Sequence, residues 1–159
     1  MDIGFSQDGK KFKFRVSGVL KYGNKYLVVK MNQNTFYCLP GGHVEHGEDT
    51  EQACLREMRE ELGFDVKIIK LLAINQNFFT GSKMDKYHEL GFYYLVEAVD
   101  ENKINKNDFH RDELDKGKIQ HLDFKWFTEE ELKDNVDFRP KFLPEHLDCE
   151  QPLINITRD

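Results

Sequence analysis

Residues 42–64 read GHVEHGEDTEQACLREMREELGF, and this stretch governs how the rest of the chain is read. Asp49 is a good helix N-cap, Gln52 stands three residues on as a capping-box partner, and Gly63 is placed to stop the helix. The pattern predicts a helix over 49–62. Glu57, Glu60 and Glu61 fall at i, i+3 and i+4, so their carboxylates project from one side. Leu55, Met58 and Leu62 cluster on a neighbouring arc that can face a core. Ala53, one turn before Glu57 on the acidic side, leaves space there. Such crowding of like charge destabilises an isolated helix. Arg56 and Arg59 relieve part of it, and a bound divalent cation relieves it better.

Working outward, 11–20 and 25–31 have aromatic and β-branched character with Tyr22-Gly23-Asn24 between them, a hairpin pattern. A short apolar run, Phe36–Leu39, reads as a strand entering a glycine loop at Pro40-Gly41-Gly42. Past the helix, 66–80 and 87–99 read as two long strands joined by a turn at Gly81-Ser82-Lys83. The charged stretch 101–117 reads as a solvent-exposed loop. Residues 122–127 form a further strand, Thr128 and Glu131 cap a short helix, and 153–157 form a closing strand. Strands first, one strong helix in the middle, then more strands and a late helix imply an α+β fold.

A length of 159 residues fits one domain, 1–159, with a sizeable core. With 29 acidic against 23 basic residues and a net charge of -6, the chain lacks the basic face of a general nucleic-acid binder. A small anionic substrate remains compatible if a metal ion supplies positive charge. Cys38, Cys54 and Cys149 form no C-x-x-C pair and read as reduced thiols. Residues 1–11 lack the apolar run of a signal peptide, and no stretch approaches a membrane span. The expectation is a cytoplasmic protein with neither membrane nor nucleic acid as partner.

Hard cations such as Mg²⁺ take oxygen ligands, commonly a few carboxylates together with phosphate oxygens and water. Glu57, Glu60 and Glu61 meet that need, and the glycine-rich loop before the helix lets backbone approach an anion or metal. Taken singly, a glutamate run is most often a solvated face and Gly-Gly most often a turn. Their joint spacing changes that balance. Gly42, five residues, Glu48, seven residues, Arg56-Glu57-Met58, one residue, Glu60-Glu61, one residue, Gly63-Phe64 match the Nudix box, G-x5-E-x7-R-E-U-x-E-E-x-G-U, with an aromatic in the last apolar position.

The chain therefore resembles the Nudix hydrolases. Leu39-Pro40-Gly41-Gly42 upstream and Lys125-Trp126-Phe127 followed by Glu130-Glu131-Leu132 downstream extend the likeness loosely. The resemblance implies an α/β/α sandwich around a mixed sheet, and hydrolysis of a diphosphate linkage with Mg²⁺ or Mn²⁺ as cofactor. Carried over residue by residue, it implies that Glu57, Glu60 and Glu61 hold metal together with the Gly41 carbonyl. Arg56, paired with Glu48, orients them. The general base is left open among Glu61, Glu113, Asp112 and Glu89. Gly42 and His43 are candidates to touch substrate phosphate, with His46 beside them, and Phe79, next to Phe78 and near His88, is a candidate to stack on a base. Trp126 reads as packing.

The substrate expected is a small nucleotide-like molecule. ADP-ribose-type enzymes tend to carry a proline about fifteen residues past the box, a region that here reads Asn77-Phe78-Phe79-Thr80. By elimination the reading leans to a nucleoside triphosphate pyrophosphohydrolase of the MutT-like kind. Hydrolysis of ADP-ribose or another sugar nucleotide, and a non-catalytic ligand-sensing module, are the alternatives. Family members are often homodimers, which makes self-association a further expectation.

Overall fold

The computed structural model describes residues 1–158. Nine strands and two helices follow in the order β1 (Gly4–Gln7), β2 (Lys10–Tyr22), β3 (Lys25–Met31), β4 (Gly41–His43), α1 (Thr50–Leu62), β5 (Val66–Thr80), β6 (Lys86–Ala98), β7 (Phe109–Asp115), β8 (Lys118–Thr128), α2 (Glu129–Asp134) and β9 (Leu153–Arg158). The sheet runs β7-β8-β3-β2-β6-β5-β9, with β1 and β4 pairing onto β2. It is mixed, parallel at β2–β6 and β5–β9 and antiparallel elsewhere.

β2 and β3 touch only at the base of their hairpin, Lys21 opposite Tyr26 and Tyr22 opposite Lys25. Beyond that point the sheet splits into two wings, β7-β8-β3 and β2-β6-β5-β9. α1 fills the cleft between them. Its Ala53, Cys54, Met58 and Leu62 pack with Val16 and Leu20 of β2, Leu27 and Val29 of β3, Tyr94 and Val96 of β6, and Leu122 and Phe124 of β8. A second cluster on the other side joins Val19, Val28, Leu72 and Tyr93 to Leu132 of α2 and to Leu143 and Leu147 around a 3₁₀ turn. Helix, mixed sheet, helix: the α/β/α sandwich expected from the resemblance is the fold.

The helix boundaries follow their local chemistry. The Asp49 carboxylate accepts from the Gln52 N–H at 2.8 Å, and the Gln52 side chain accepts from the Asp49 N–H at 2.9 Å. Gly63 adopts φ 80° and donates its N–H to the Arg59 carbonyl. The α1 cap is solvent-exposed and well formed, so Asp49→Ala is expected to cost about 1 kcal/mol. A fall in denaturant midpoint with an unchanged m-value would register it.

Three expectations need correction. The stretch 101–117 is no loop: a 3₁₀ turn at Glu101–Lys103 precedes β7, which pairs with β8 along its whole length. Phe109 anchors it by stacking on Phe124 with ring centroids 4.6 Å apart, and Lys116 and Gly117 take positive φ at the hairpin tip. Charge along the strand hid this alternation. Phe36–Leu39 is not a ladder strand either, because only Tyr37 and Cys38 make isolated bridges, to Phe138 and Val29. The strand lies one step later, where Gly41–His43 pairs with β2 instead of forming a free loop. Ala53, finally, is fully buried in the core and not a spacer on the acidic side.

Candidate active site

The site is built where α1 and β4 meet. Pro40 accepts from Gly18 N–H and Val44 donates to Phe14 O, so on the antiparallel ladder Gly41 and His43 direct their polar backbone groups away from β2. The Gly41 N–H donates to Glu61 Oε1 at 3.2 Å, and the His43 carbonyl accepts from Arg56 Nη2 at 2.9 Å. A Cβ on Gly42 would occupy the space of the Glu57 carboxylate. Helix and strand can approach this closely only with glycine at that position.

Arg56 sits at the centre of the carboxylates. It forks onto Glu48, with Nη2 to Oε1 at 2.6 Å and Nε to Oε2 at 3.0 Å, and reaches Glu57 at 2.9 Å and Glu60 at 3.4 Å. Bidentate geometry makes this a strong, directional pairing. It holds Glu48 below the usual carboxylate range, and Glu48 in turn accepts the Glu45 N–H at 2.8 Å. The guanidinium is thus committed to Glu48, Glu57 and Glu60, and none of its hydrogen bonds goes to Glu61.

Glu61 is 7% exposed and accepts a hydrogen bond from the Gly41 N–H. Burial, followed by the charges of Glu113 and Glu57, pushes its carboxyl up to about 8. Burial also raises Glu57, against the pull of Arg56. Glu60 is about half exposed. Glu57 and Glu61 are thus held close together and largely dehydrated, with Glu60 beside them at the solvent edge.

Of the further carboxylates, Glu113 of β7 lies on the inward face of its strand, and its charge is felt at both Glu61 and Glu57. Burial raises its own carboxyl, with Asp115 and Glu60 adding to the effect. Arg111, two residues before it, reaches the C-terminal end of α1 at Gly63. Asp112 points the opposite way, to the outer surface, and does not join the cluster. Glu89 pairs in register with Lys13 on β2 and Asn77 on β5, a different face from Glu113.

Sequence reasoning passed over the basic side of the site. Lys11, Lys13 and Arg15 alternate along β2 and share one face, a period-two signal visible in KKFKFR. Arg15 stands opposite His43 in the ladder, and its charge is felt at Glu61 and His43. His43 is half-buried, its imidazole lowered by burial first and then by Arg15, and it sits 3.6 Å from Asp2. Further along this face a buried Asn75 accepts from Asn155 at 3.0 Å and Thr157 at 3.3 Å, beside the buried Tyr93. Phe79 lies at the far end, stacked on Tyr87 at 4.7 Å, with Lys13 over the Tyr87 ring at 5.0 Å. Four residues separate this pair from the Arg15 level, roughly 13 Å along the strands. Phe78 faces the other side, against His88 at 4.3 Å, His46 is exposed, and Trp126 packs beside Tyr22.

A family model described as the NUDIX domain matches residues 12–146. An ADP-ribose pyrophosphatase of Methanocaldococcus jannaschii is 31% identical over 87 residues, covering 53% of this chain and 50% of that protein, so the match spans half the length of this relative. An 8-oxo-dGTP diphosphatase of Proteus vulgaris is 33% identical over 99 residues, 59% of this chain and 84% of that one. Among solved structures, a NUDIX hydrolase from Nitrosomonas europaea is similar with TM-score 0.62 and 22% identity, over 92% of this chain and 79% of that chain. A MutT protein from Bacillus halodurans gives TM-score 0.59 at 15% identity, over 91% and 90%. At such identities these structures speak for the fold alone. The matched region encloses the 42–64 segment, the helix α1 and the sheet strands from β3 to β8 together with most of β2, and the chain belongs to the NUDIX domain family.

Proposed function

We propose that this chain hydrolyses a diphosphate linkage in a nucleoside diphosphate derivative, with a divalent cation, Mg²⁺ or Mn²⁺, as cofactor. The observation that carries the reading is the cluster of Glu57, Glu60, Glu61 and Glu113, set beside a basic strand face. The donor set fits a hard cation. All the side-chain donors are carboxylate oxygens, the Arg56 guanidinium hydrogen-bonded among them is committed to Glu48, Glu57 and Glu60, and the Gly41 backbone points into the same space. Glu57, Glu60 and Glu61 with the Gly41 carbonyl are the residues that would hold it. Bound there, such an ion supplies charge neutralisation for phosphate oxygens and a more acidic water.

The chain's own residues divide the remaining work. Arg56, locked by Glu48, holds Glu57 and Glu60 in position. Arg15 and Lys13 offer positive charge to phosphates from the sheet side, with Gly42 and His43 close by. Phe79 is assigned to the base or sugar end. Glu113, with its raised carboxyl, is assigned the role of general base that accepts the proton of the attacking water, Glu61 being the alternative. Glu113→Gln is then expected to lower turnover by about 10²-fold with metal affinity unchanged. A loss of less than threefold would move the base assignment to Glu61.

Within this class we favour a nucleoside triphosphate as substrate, supported by the match that spans most of the Proteus vulgaris 8-oxo-dGTP diphosphatase. The half-length match to the Methanocaldococcus jannaschii ADP-ribose pyrophosphatase supports a sugar nucleotide as the second reading. A product-mass assay with Mg²⁺ and then Mn²⁺ against nucleoside triphosphates, ADP-ribose, other sugar nucleotides and dinucleoside polyphosphates decides between them. A nucleoside triphosphate turned over at least tenfold faster than ADP-ribose is expected. The reverse order would install the second reading, and silence across the panel without metal binding would end the hydrolase assignment.

A further inference from the structure

On the outer face of the β7–β8 hairpin, turned away from the acidic cluster, four side chains meet that the reaction above does not use. His110 stands opposite Asp123 and Asp112 opposite His121 in the ladder, so the four form a block of two cross-strand pairs. Asp112 Oδ1 lies 2.7 Å from His110 Nε2 and 2.7 Å from His121 Nδ1, and Asp123 Oδ1 lies 2.8 Å from His110 Nδ1. One nitrogen from each imidazole and one oxygen of Asp112 therefore converge, all within 4.8 Å of one another.

We propose that this face is a second cation site, for a divalent transition metal of the zinc class, with His110 Nε2, His121 Nδ1 and Asp112 Oδ1 as ligands. Two imidazoles and one carboxylate are the donors that borderline cations prefer, whereas Mg²⁺ selects oxygen. Asp123 completes the pattern. It accepts from the other nitrogen of His110, as carboxylates do behind metal-bound histidines, where they fix ring orientation and tautomer.

The proton balance is simple. His110 has a carboxylate oxygen against each ring nitrogen, Asp112 at Nε2 and Asp123 at Nδ1. On binding, any proton on Nε2 leaves to solvent, while the proton on His110 Nδ1 stays on that nitrogen and is donated to the Asp123 carboxylate. His121 binds as the tautomer that carries its proton on Nε2. Ligand atoms around a tetrahedral zinc ion stand about 3.3 Å apart, so the present 2.7 Å contacts must open by roughly half an ångström. The side chains are about half exposed, which leaves room for that movement and for water in the remaining coordination position. The backbone beneath is firm: Asn32 grips His121 through its N–H to the His121 carbonyl at 2.8 Å and its Oδ1 to the His121 N–H at 2.9 Å.

Zinc titration calorimetry on the tag-free 159-residue chain in saturating Mg²⁺ tests this, with Co²⁺ absorption as a second readout. One equivalent of zinc is expected at roughly micromolar affinity, and Co²⁺ should give the visible bands of a nitrogen-ligated, low-coordinate site. His121→Ala and Asp112→Ala should each weaken zinc at least tenfold. Asp123→Asn, which removes only the orienting carboxylate, should weaken it by about tenfold. Glu61→Gln should leave this site unchanged. The proposal is overturned if no zinc binds under Mg²⁺, if His121→Ala binds zinc like the parent, or if Glu61→Gln abolishes the zinc equivalent.

Discussion

Glu61→Gln is expected to cut metal-dependent turnover by about 10²–10³-fold while the protein stays folded. The amide keeps the acceptor that the Gly41 N–H uses and nearly the same volume, so the fold has little to lose. What disappears is a negative charge in a site where the proposed chemistry needs one. The same substitution has a second, opposite consequence in chelator. Glu61 is buried and lies near Glu57 and Glu113, which pushes its carboxyl up to about 8. Below about pH 4.5 the group is neutral in folded and unfolded chains alike. Between there and about 8 the folded protein keeps a proton that the unfolded chain has released, so stability falls as pH rises across this window.

The metal-free parent should therefore be less stable at pH 8 than Glu61→Gln, by roughly 1–3 kcal/mol. Denaturant melts in chelator at pH 5 and pH 8 measure the gap, which should shrink at the lower pH. Added Mg²⁺ should restore the parent and leave the variant behind. Near-normal activity in Glu61→Gln would remove the residue from the metal set. A variant no more stable than the parent at pH 8 would mean the carboxylate is better compensated than its surroundings indicate.

Met58→Asp is expected to abolish folding. Met58 is fully buried at the centre of the core between the two wings, and its thioether lies so close to β2 that a Cβ on Gly18 would collide with it. An aspartate there loses the packing of the thioether and carries a charge with no partner among core residues. The combined cost, several kcal/mol from each source, reaches the whole stability of an ordinary domain. Loss of the cooperative thermal transition together with exposure to protease is the expected result. A folded Met58→Asp protein would show α1 to be seated in another rotation. Together the two variants separate the faces of one helix: one change removes function from a folded protein, the other removes the fold.

The helix was legible because its information is local. The N-cap, the capping box and Gly63 act within a few residues, and the apolar arc of Met58 and Leu62 follows from a fixed helical period. The main strands of the sheet were legible for the same reason, since Lys25–Met31 and Val66–Thr80 carry enough β-branched and aromatic residues to announce themselves. β7 was not. Its alternation is written mostly in charges, His110 and Asp112 outward, Arg111 and Glu113 inward, and only Phe109 marks the buried side. Without knowing which neighbour each charge meets, that sequence looks like a loop. The basic stripe of Lys11, Lys13 and Arg15 was present in the pattern, but nothing local says that the face it lines is the one that meets Glu61.

The sequence by itself determined the α1 helix and its face of three glutamates, because helical geometry converts residue spacing directly into a face, and its motif spacing carried the resemblance to the family. Tertiary structure alone decided the rest. It buried Glu61 while leaving Glu60 half exposed, although both stand on the same helix, because β4 closes over one and solvent remains over the other. It brought Glu113 in from a strand roughly fifty residues away, and it turned Asp112, one residue earlier, outward to meet His110 and His121. Burial and long-range charge are properties of packed neighbours, and neighbours distant in sequence are chosen by strand pairing and core packing, which spacing along the chain does not encode.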